Sequence, residues 1–162
     1  MDARPIDIES LWLVPGILPP RIAGHAPPGF RELPLWDPFE AYVGPFYMTS
    51  DQPVQTAAFI VRHDHLDGSG ACDPGMLLTF ADSCSATMAW NAAGRRNAVT
   101  LELSAQFGAS ARLGDTVTFV CTSVGLLGET VLLAARIESG GQTVALVNSR
   151  WRIIGSTAVS QP

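Results

Sequence analysis

The chain contains no lysine; all ten of its basic residues are arginine. Schiff-base formation and lysine general-base catalysis are thereby excluded, since both need a side-chain amine. Charge of either sign is scarce. Charged residues make up 15% of 162, against about 25% in a typical soluble domain. Apolar surface is therefore left for a partner to cover, most simply a second copy, as a homodimer or a dimer of dimers. A net charge of −5 offers nothing to a nucleic acid. Cysteine is sparse and odd in number, at Cys72, Cys84 and Cys121, which makes no disulfide framework. Reduced thiols in a cytoplasm are the expectation. Three acids in the first nine residues, with no basic stretch leading into a long apolar run, are unlike a signal peptide. No run of about 18 residues is free of polar groups, so no membrane span is expected.

What is present divides the chain in two. Residues 1–43 read as an extended arm, because nine of the twelve prolines fall within residues 1–45 and proline forbids long helices and inner strands. The arm also carries Leu11, Trp12, Leu13, Phe30, Leu35, Trp36 and Phe39, which a disordered linker lacks. It is expected to pack on the domain surface, with short helical turns near 6–13 and 37–42. Residues 44–162 form the domain, opening at the Gly44–Pro45 turn pair. A strand is expected at 54–62, followed by a loop rich in Gly and Asp.

Residues 74–92, PGMLLTFADSCSATMAWNA, read as a nearly all-apolar helix with one acid, Asp82, in its middle. Burying an ionised carboxylate is costly unless it is paired, hydrogen-bonded or put to use. Asp82 is thus the leading candidate for catalysis; a buried acid satisfied by Ser, Thr or an Arg is the alternative. Asp73 and Pro74 suit the N-cap and first turn, and Gly94 suits the end. After the helix the period changes to two. In 97–107, Val99, Leu101, Leu103 and Ala105 alternate with Thr100, Glu102, Ser104 and Gln106. Strands follow at 115–124, 129–138 and 142–154, the last two joined by Gly140–Gly141. One helix with four long antiparallel strands is an α+β layer pair.

Some residues invite chemistry that their surroundings do not support. His63 and His65 would share one face of a strand, but a metal needs three or four converging ligands and no second spaced cluster exists. No metal is expected, and solvated loop histidines are the reading. Cys72 precedes the helix with no base placed beside it in sequence.

The segment His65–Asp82, HLDGSGACDPGMLLTFAD, resembles the signature of PaaI-like acyl-CoA thioesterases of the hotdog fold. That signature is an Asn-Gly pair, a short loop, His-Gly-Gly, and an Asp seven residues after the last Gly. The resemblance spans about 44–154, and LGDTV at 113–117 fits the family's strand-opening turn. It implies an antiparallel sheet wrapped around one long central helix. It also implies hydrolysis of an acyl-CoA thioester, with Asp82 as general base or nucleophile and Thr100 near the attacking water. Gly75 stands at the helix start, where N–H groups of Gly75 and Met76 would polarise the carbonyl. Coenzyme A would enter as part of the substrate, with no separate cofactor; Arg95, Arg96 and Arg112 are candidates for its phosphates. Asp67 replaces the signature's Asn, Asp73 its His and Pro74 its first Gly. Proline has no N–H to donate, and Asp73 competes for the next one. A non-hydrolytic acyl-CoA or small-ligand binding protein on the same fold is therefore the second reading. A hydratase is disfavoured, because the Asp and His that hotdog hydratases place near the helix start have no match.

Overall fold

The computed structural model of the chain describes residues 24–33, 38–49 and 56–155. The expected turn at 6–13, Trp12 and Trp36 lie outside these. The elements are β1 (Phe30–Glu32), α1 (Pro38–Val43), β2 (Tyr47–Thr49), β3 (Thr56–Ile60), α2 (Pro74–Ala92), β4 (Ala98–Phe107), β5 (Thr116–Leu127), β6 (Thr130–Ser139) and β7 (Gln142–Ile153). Among the described residues, seven strands form one antiparallel sheet in the order β1-β2-β3-β5-β6-β7-β4. The sheet wraps α2, which is the hotdog fold. Residues 30–33 of the proline-rich stretch supply its edge strand β1 and a core side chain, Leu33.

α2 forms where its local chemistry directs. Asp73 is the N-cap, its carboxylate accepting the N–H of Gly75 at 2.6 Å, and Pro74 occupies the first turn, where a missing N–H costs nothing. The helix ends at Gly94, whose φ of 68° no ordinary side chain adopts easily. Between these ends the sequence is apolar nearly all round, as suits a helix enclosed on most of its circumference. Leu77, Phe80, Ala81, Cys84 and Met88 are buried against the sheet. Phe80 anchors the packing, its ring 4.7 Å from Phe59, 5.2 Å from Phe46 and 6.3 Å from Phe119 in tilted and edge-on contacts.

The β6–β7 hairpin turns at Gly140 and Gly141, both at positive φ (56° and 78°), as a tight hairpin of the sheet's twist requires. β4 departs from its sequence pattern. Thr100 pairs with Trp151 and Glu102 with Arg150, so Leu101 is an extra residue in a β-bulge. Ala98, Thr100, Leu103, Ala105 and Phe107 then share the helix side, while Glu102 reaches Arg150 on the outer side at 3.2 Å. Strict alternation would have put Thr100 on the outer side.

The expectation of solvated loop histidines holds for His63 and is corrected for His65. Residues His63–His65 form one 3₁₀ turn, which points His63 to solvent and buries His65. His65 Nδ1 accepts the N–H of Arg62 (3.2 Å), so its Nε2–H donates to the carbonyl of Val43 (3.0 Å). Arg62 also donates to the Gly44 carbonyl. Together they fasten the end of α1 to the loop before α2. Burial and the Arg62 cation hold the His65 pKa below its usual 6.5, against the opposing pull of Asp64 and the Val43 carbonyl. Below that pH the unfolded chain binds a proton that the native imidazole resists, so stability falls with falling pH. Chemical denaturation of the wild type at about pH 7.5 and about pH 5.5, either side of the free histidine pKa, should show this loss; His65→Gln, with no titration, should lose less over the same interval.

Candidate functional site

Asp82 projects from the one side of α2 that the sheet does not cover. It is half-buried and lines a cavity of about 600 Å³. The bulge in β4 turns Thr100 toward it, and the Thr100 hydroxyl donates to Asp82 Oδ1 at 3.0 Å. Burial pushes the Asp82 carboxyl above its ordinary range, and the Thr100 hydrogen bond pulls partly the other way. The neighbouring hydroxyls on α2 do not compete. Thr79 donates to the Gly75 carbonyl (2.9 Å) and Thr87 to that of Ser83 (3.5 Å). The result is a desolvated, basic carboxylate with one fixed donor, open to a cavity.

The cavity follows the helix period. Leu78, Asp82, Ala86 and Trp90 recur every four residues on one side of α2, with Thr79, Ser83 and Thr87 in the adjoining row. Leu103 and Trp151 close it from β4 and β7, and Phe39 and Glu40 from α1. Sequence reasoning offered none of these but Asp82 as site residues, although asking which positions share the face of Asp82 would have found those on α2. Phe39, Glu40 and Trp151 had no such signal, because tertiary packing alone brings them there.

The helix start lies elsewhere. Gly75 and Asp82 are seven residues apart on one side of α2, about 10 Å along the axis. One thioester carbonyl cannot meet both within a single protomer. Asp73 already occupies the N–H of Gly75, while the N–H of Met76 has no acceptor among the described residues. Asp67 folds its own loop: Oδ1 accepts from Ser69 N (2.8 Å), Ser69 Oγ (2.7 Å) and Ala71 N (3.1 Å), which lowers its pKa. It acts as an Asx turn rather than reaching toward Asp82.

The three candidate phosphate ligands separate as well. Arg112 pairs through its backbone with Ala71 and donates to the Ser69 carbonyl (3.3 Å), beside the loop that leads into α2. Arg95 and Arg96 sit past the far end of α2, 19 residues long and so about 28 Å in length. Arg96 Nε donates to the Ala93 carbonyl (2.9 Å), and the Arg95 guanidinium lies 5.4 Å from the Trp90 ring centre. The two alternatives offered for the phosphates, Arg95 with Arg96 and Arg112, thus lie at opposite ends of the helix within one protomer. Cys72 is buried and its thiol pushed up to about 12, chiefly by burial, so it carries no thiolate near neutral pH. Among the described residues no group of three or more His, Cys, Asp or Glu is placed to hold a metal ion, and no helix is long and apolar enough to cross a membrane.

Removing the Thr100 hydroxyl tests the coupling directly. In Thr100→Val, Asp82 loses the donor that favours its charged form, so its pKa should rise further; NMR titration of the Asp82 carboxyl would read the shift, and an unmoved or lowered value would contradict the pairing.

A family model of the thioesterase superfamily matches residues 74–146, beginning at the first residue of α2. No curated protein matches. Among solved structures, the PaaI protein of the phenylacetic acid degradation operon of E. coli shares 23% identity at a TM-score of 0.66, over 75% of this chain and 87% of that one. An asparagine-to-aspartate variant of the phenylacetic acid degradation protein PaaI from Thermus thermophilus shares 28% at 0.65, over 73% and 100%. A Streptococcus mutans protein bound to acetyl CoA shares 24% at 0.58, over 67% and 87%. With the sheet, the enclosed helix and the position of its one acid already described, these matches show the hotdog fold and a likeness to the PaaI-like members of the thioesterase superfamily.

Proposed function

We propose that the protein hydrolyses an acyl-CoA thioester, with Asp82 either activating water as general base or attacking the thioester carbon as nucleophile. The observation that carries this reading is the Asp82–Thr100 pair at the cavity wall. A carboxylate pushed above its ordinary range is a stronger base, and one fixed hydroxyl donor leaves its other oxygen open to a water or a substrate. The acetyl CoA held by the Streptococcus mutans protein supports a CoA ester as the ligand.

Carbonyl polarisation would fall to the start of α2, where the Met76 N–H and the positive end of the helix stabilise a developing oxyanion. Because that end is two turns from Asp82, the site needs a second copy of the chain to supply it. β4 offers the surface for this: among the described residues it is a sheet edge ten residues long with Val99, Leu101 and Phe107 exposed. Such an edge invites pairing, and a two-fold homodimer through it would bring one helix start near the other protomer's Asp82. Arg112, close to the helix start, is the arginine best placed for the CoA phosphates. The three cysteines are all unpaired, which supports a cytoplasmic setting.

One observation favours the second reading, a binding protein without hydrolysis. Pro74 has no N–H and Asp73 holds that of Gly75, so two of the donors at the helix start are withheld. Losing a single oxyanion donor costs about two to three orders of magnitude in rate. Thiol release across a panel of acyl-CoAs separates the readings. Under hydrolysis, Asp82→Asn should lower turnover by about 10²–10⁴ while keeping the fold and ligand affinity. Equal activity in wild type and variant would remove Asp82 from the mechanism. No release by wild type, with release gained in Asp73→His/Pro74→Gly, would make the natural protein a binder. Sedimentation at micromolar concentration should give a dimer; a monomer would refute the composite site.

A further inference from the structure

We propose that Trp90 is the end wall of an acyl-binding trough along α2, and that Arg95 is the residue that positions it. The identity of the ligand as an acyl-CoA rests on the reading above; the trough and its end wall rest on geometry. From Asp82 the cavity extends one turn toward the helix start, to Leu78 and Thr79, and two turns toward the C-terminal end, along Ala86 and Trp90. Ala86 is small and leaves the floor open one turn beyond the carboxylate. Trp90, a further turn on, is the largest side chain available and closes it. The distance from Asp82 to Trp90 along the axis is about 12 Å, two helical turns. Trp151 stands opposite on β7, its indole N–H donated to Ser149 Oγ at 2.9 Å, so its ring is fixed and its hydrocarbon lines the trough. Beyond Asp82, α2 presents no charged side chain to this space, and the remaining charged residue in the lining, Glu40, comes from α1. The fitting occupant is an unbranched acyl chain of medium length, its carbonyl at Asp82 and its tail against the Trp90 ring.

The orientation of Trp90 is built into the way α2 ends. The Gly94 N–H bonds to the Asn91 carbonyl (3.1 Å) and the Arg95 N–H to the Trp90 carbonyl (2.8 Å), which is the Schellman arrangement. In that arrangement the residue after the glycine packs on the residue whose carbonyl it caps, usually through an apolar contact. Here the pair is Arg95 and Trp90. Arg95 takes φ 65°, a left-handed conformation rare outside glycine, and sets its guanidinium over the indole at 5.4 Å. A cation–π contact thus replaces the apolar one and braces the ring from outside the cavity. This use of Arg95 explains why a residue read from sequence as a phosphate ligand instead sits against the end of its own helix.

The test uses the full chain with non-hydrolysable thioether analogues of acyl-CoA of rising chain length, their affinities measured by calorimetry. In the wild type, affinity should climb about fourfold per added methylene, the increment for burying one CH₂, up to a cut-off, and then fall. Trp90→Ala should move the cut-off to longer chains by several methylenes; Trp90→Phe, closer in volume, should move it less and serves if the alanine variant does not fold. Arg95→Ala should blur the cut-off, and Arg95→Lys, which keeps a cation, should restore it, a rescue that a merely structural role would not show. A cut-off that stays in place in both Trp90 variants, an affinity indifferent to chain length, or no binding of any analogue would overturn the proposal. Thiol release is measured separately on the matching esters. A Trp90-dependent cut-off without hydrolysis would leave the trough standing and remove the thioesterase reading; hydrolysis with no such cut-off would do the reverse.

Discussion

Enclosure of α2 by a single curved sheet governs the rest of the structure. The helix is apolar on nearly all sides, and leaving it in water would forfeit roughly 1.5–3 kcal/mol for each large side chain such as Phe80 or Leu77. One sheet can wrap most of a helix but not all of it. The uncovered side becomes a cleft rather than a solvated stripe, because Phe39, Leu103 and Trp151 lean over it. Asp82 is on that side. Its carboxylate is dry enough to have a raised pKa yet open enough to meet a ligand, and both properties follow from its place in the gap of the wrap.

The helix also acts as a ruler. Each residue advances about 1.5 Å, so the N-terminal N–H groups, the acid and the Trp90 ring stand on three levels of one rod. The lower interval, between Gly75 and Asp82, is too long for one carbonyl to bridge. The upper interval, from Asp82 to Trp90, suits an extended chain. A second copy across the exposed β4 edge, as proposed, would answer the first problem, and the exposed apolar residues of that edge accord with the low charge of the sequence. The aromatic end answers the second. Neither needs a metal or a reactive cysteine.

Much of this was legible in the sequence because it is local. The bounds of α2 follow from Asp73, Pro74 and Gly94, residues whose preferences act within one turn of the chain. The β6–β7 hairpin follows from Gly140–Gly141, and Asp82 stands out from its isolation in an apolar run. Other features were misread for equally physical reasons. Alternation in β4 alone would assign Thr100 to the outer face; the family resemblance set it beside Asp82, and the bulge at Leu101 is what brings it there. A bulge is one extra residue accommodated between two strands, so a single strand's sequence does not announce it. His63 and His65 alternate only if the chain is extended there; the 3₁₀ turn separates them, and His65 is buried against Phe59 of the preceding strand and bonded to the remote Val43 carbonyl. Arg95 and Arg112 look alike as cations, yet the helix length sets them apart.

By itself, then, the sequence determined the helix, its ends, the strand count after it, the lone acid, and the departures at Asp67, Asp73 and Pro74, because each is a matter of backbone preference or composition within a few residues. Tertiary structure alone decided what the acid faces. Only the pairing of β4 with β7 turned Thr100 toward Asp82, and only the packing of α1 and β7 against the helix roofed the cavity with Phe39 and Trp151. Those contacts join residues far apart in the chain, and their energies depend on a geometry that no local window contains.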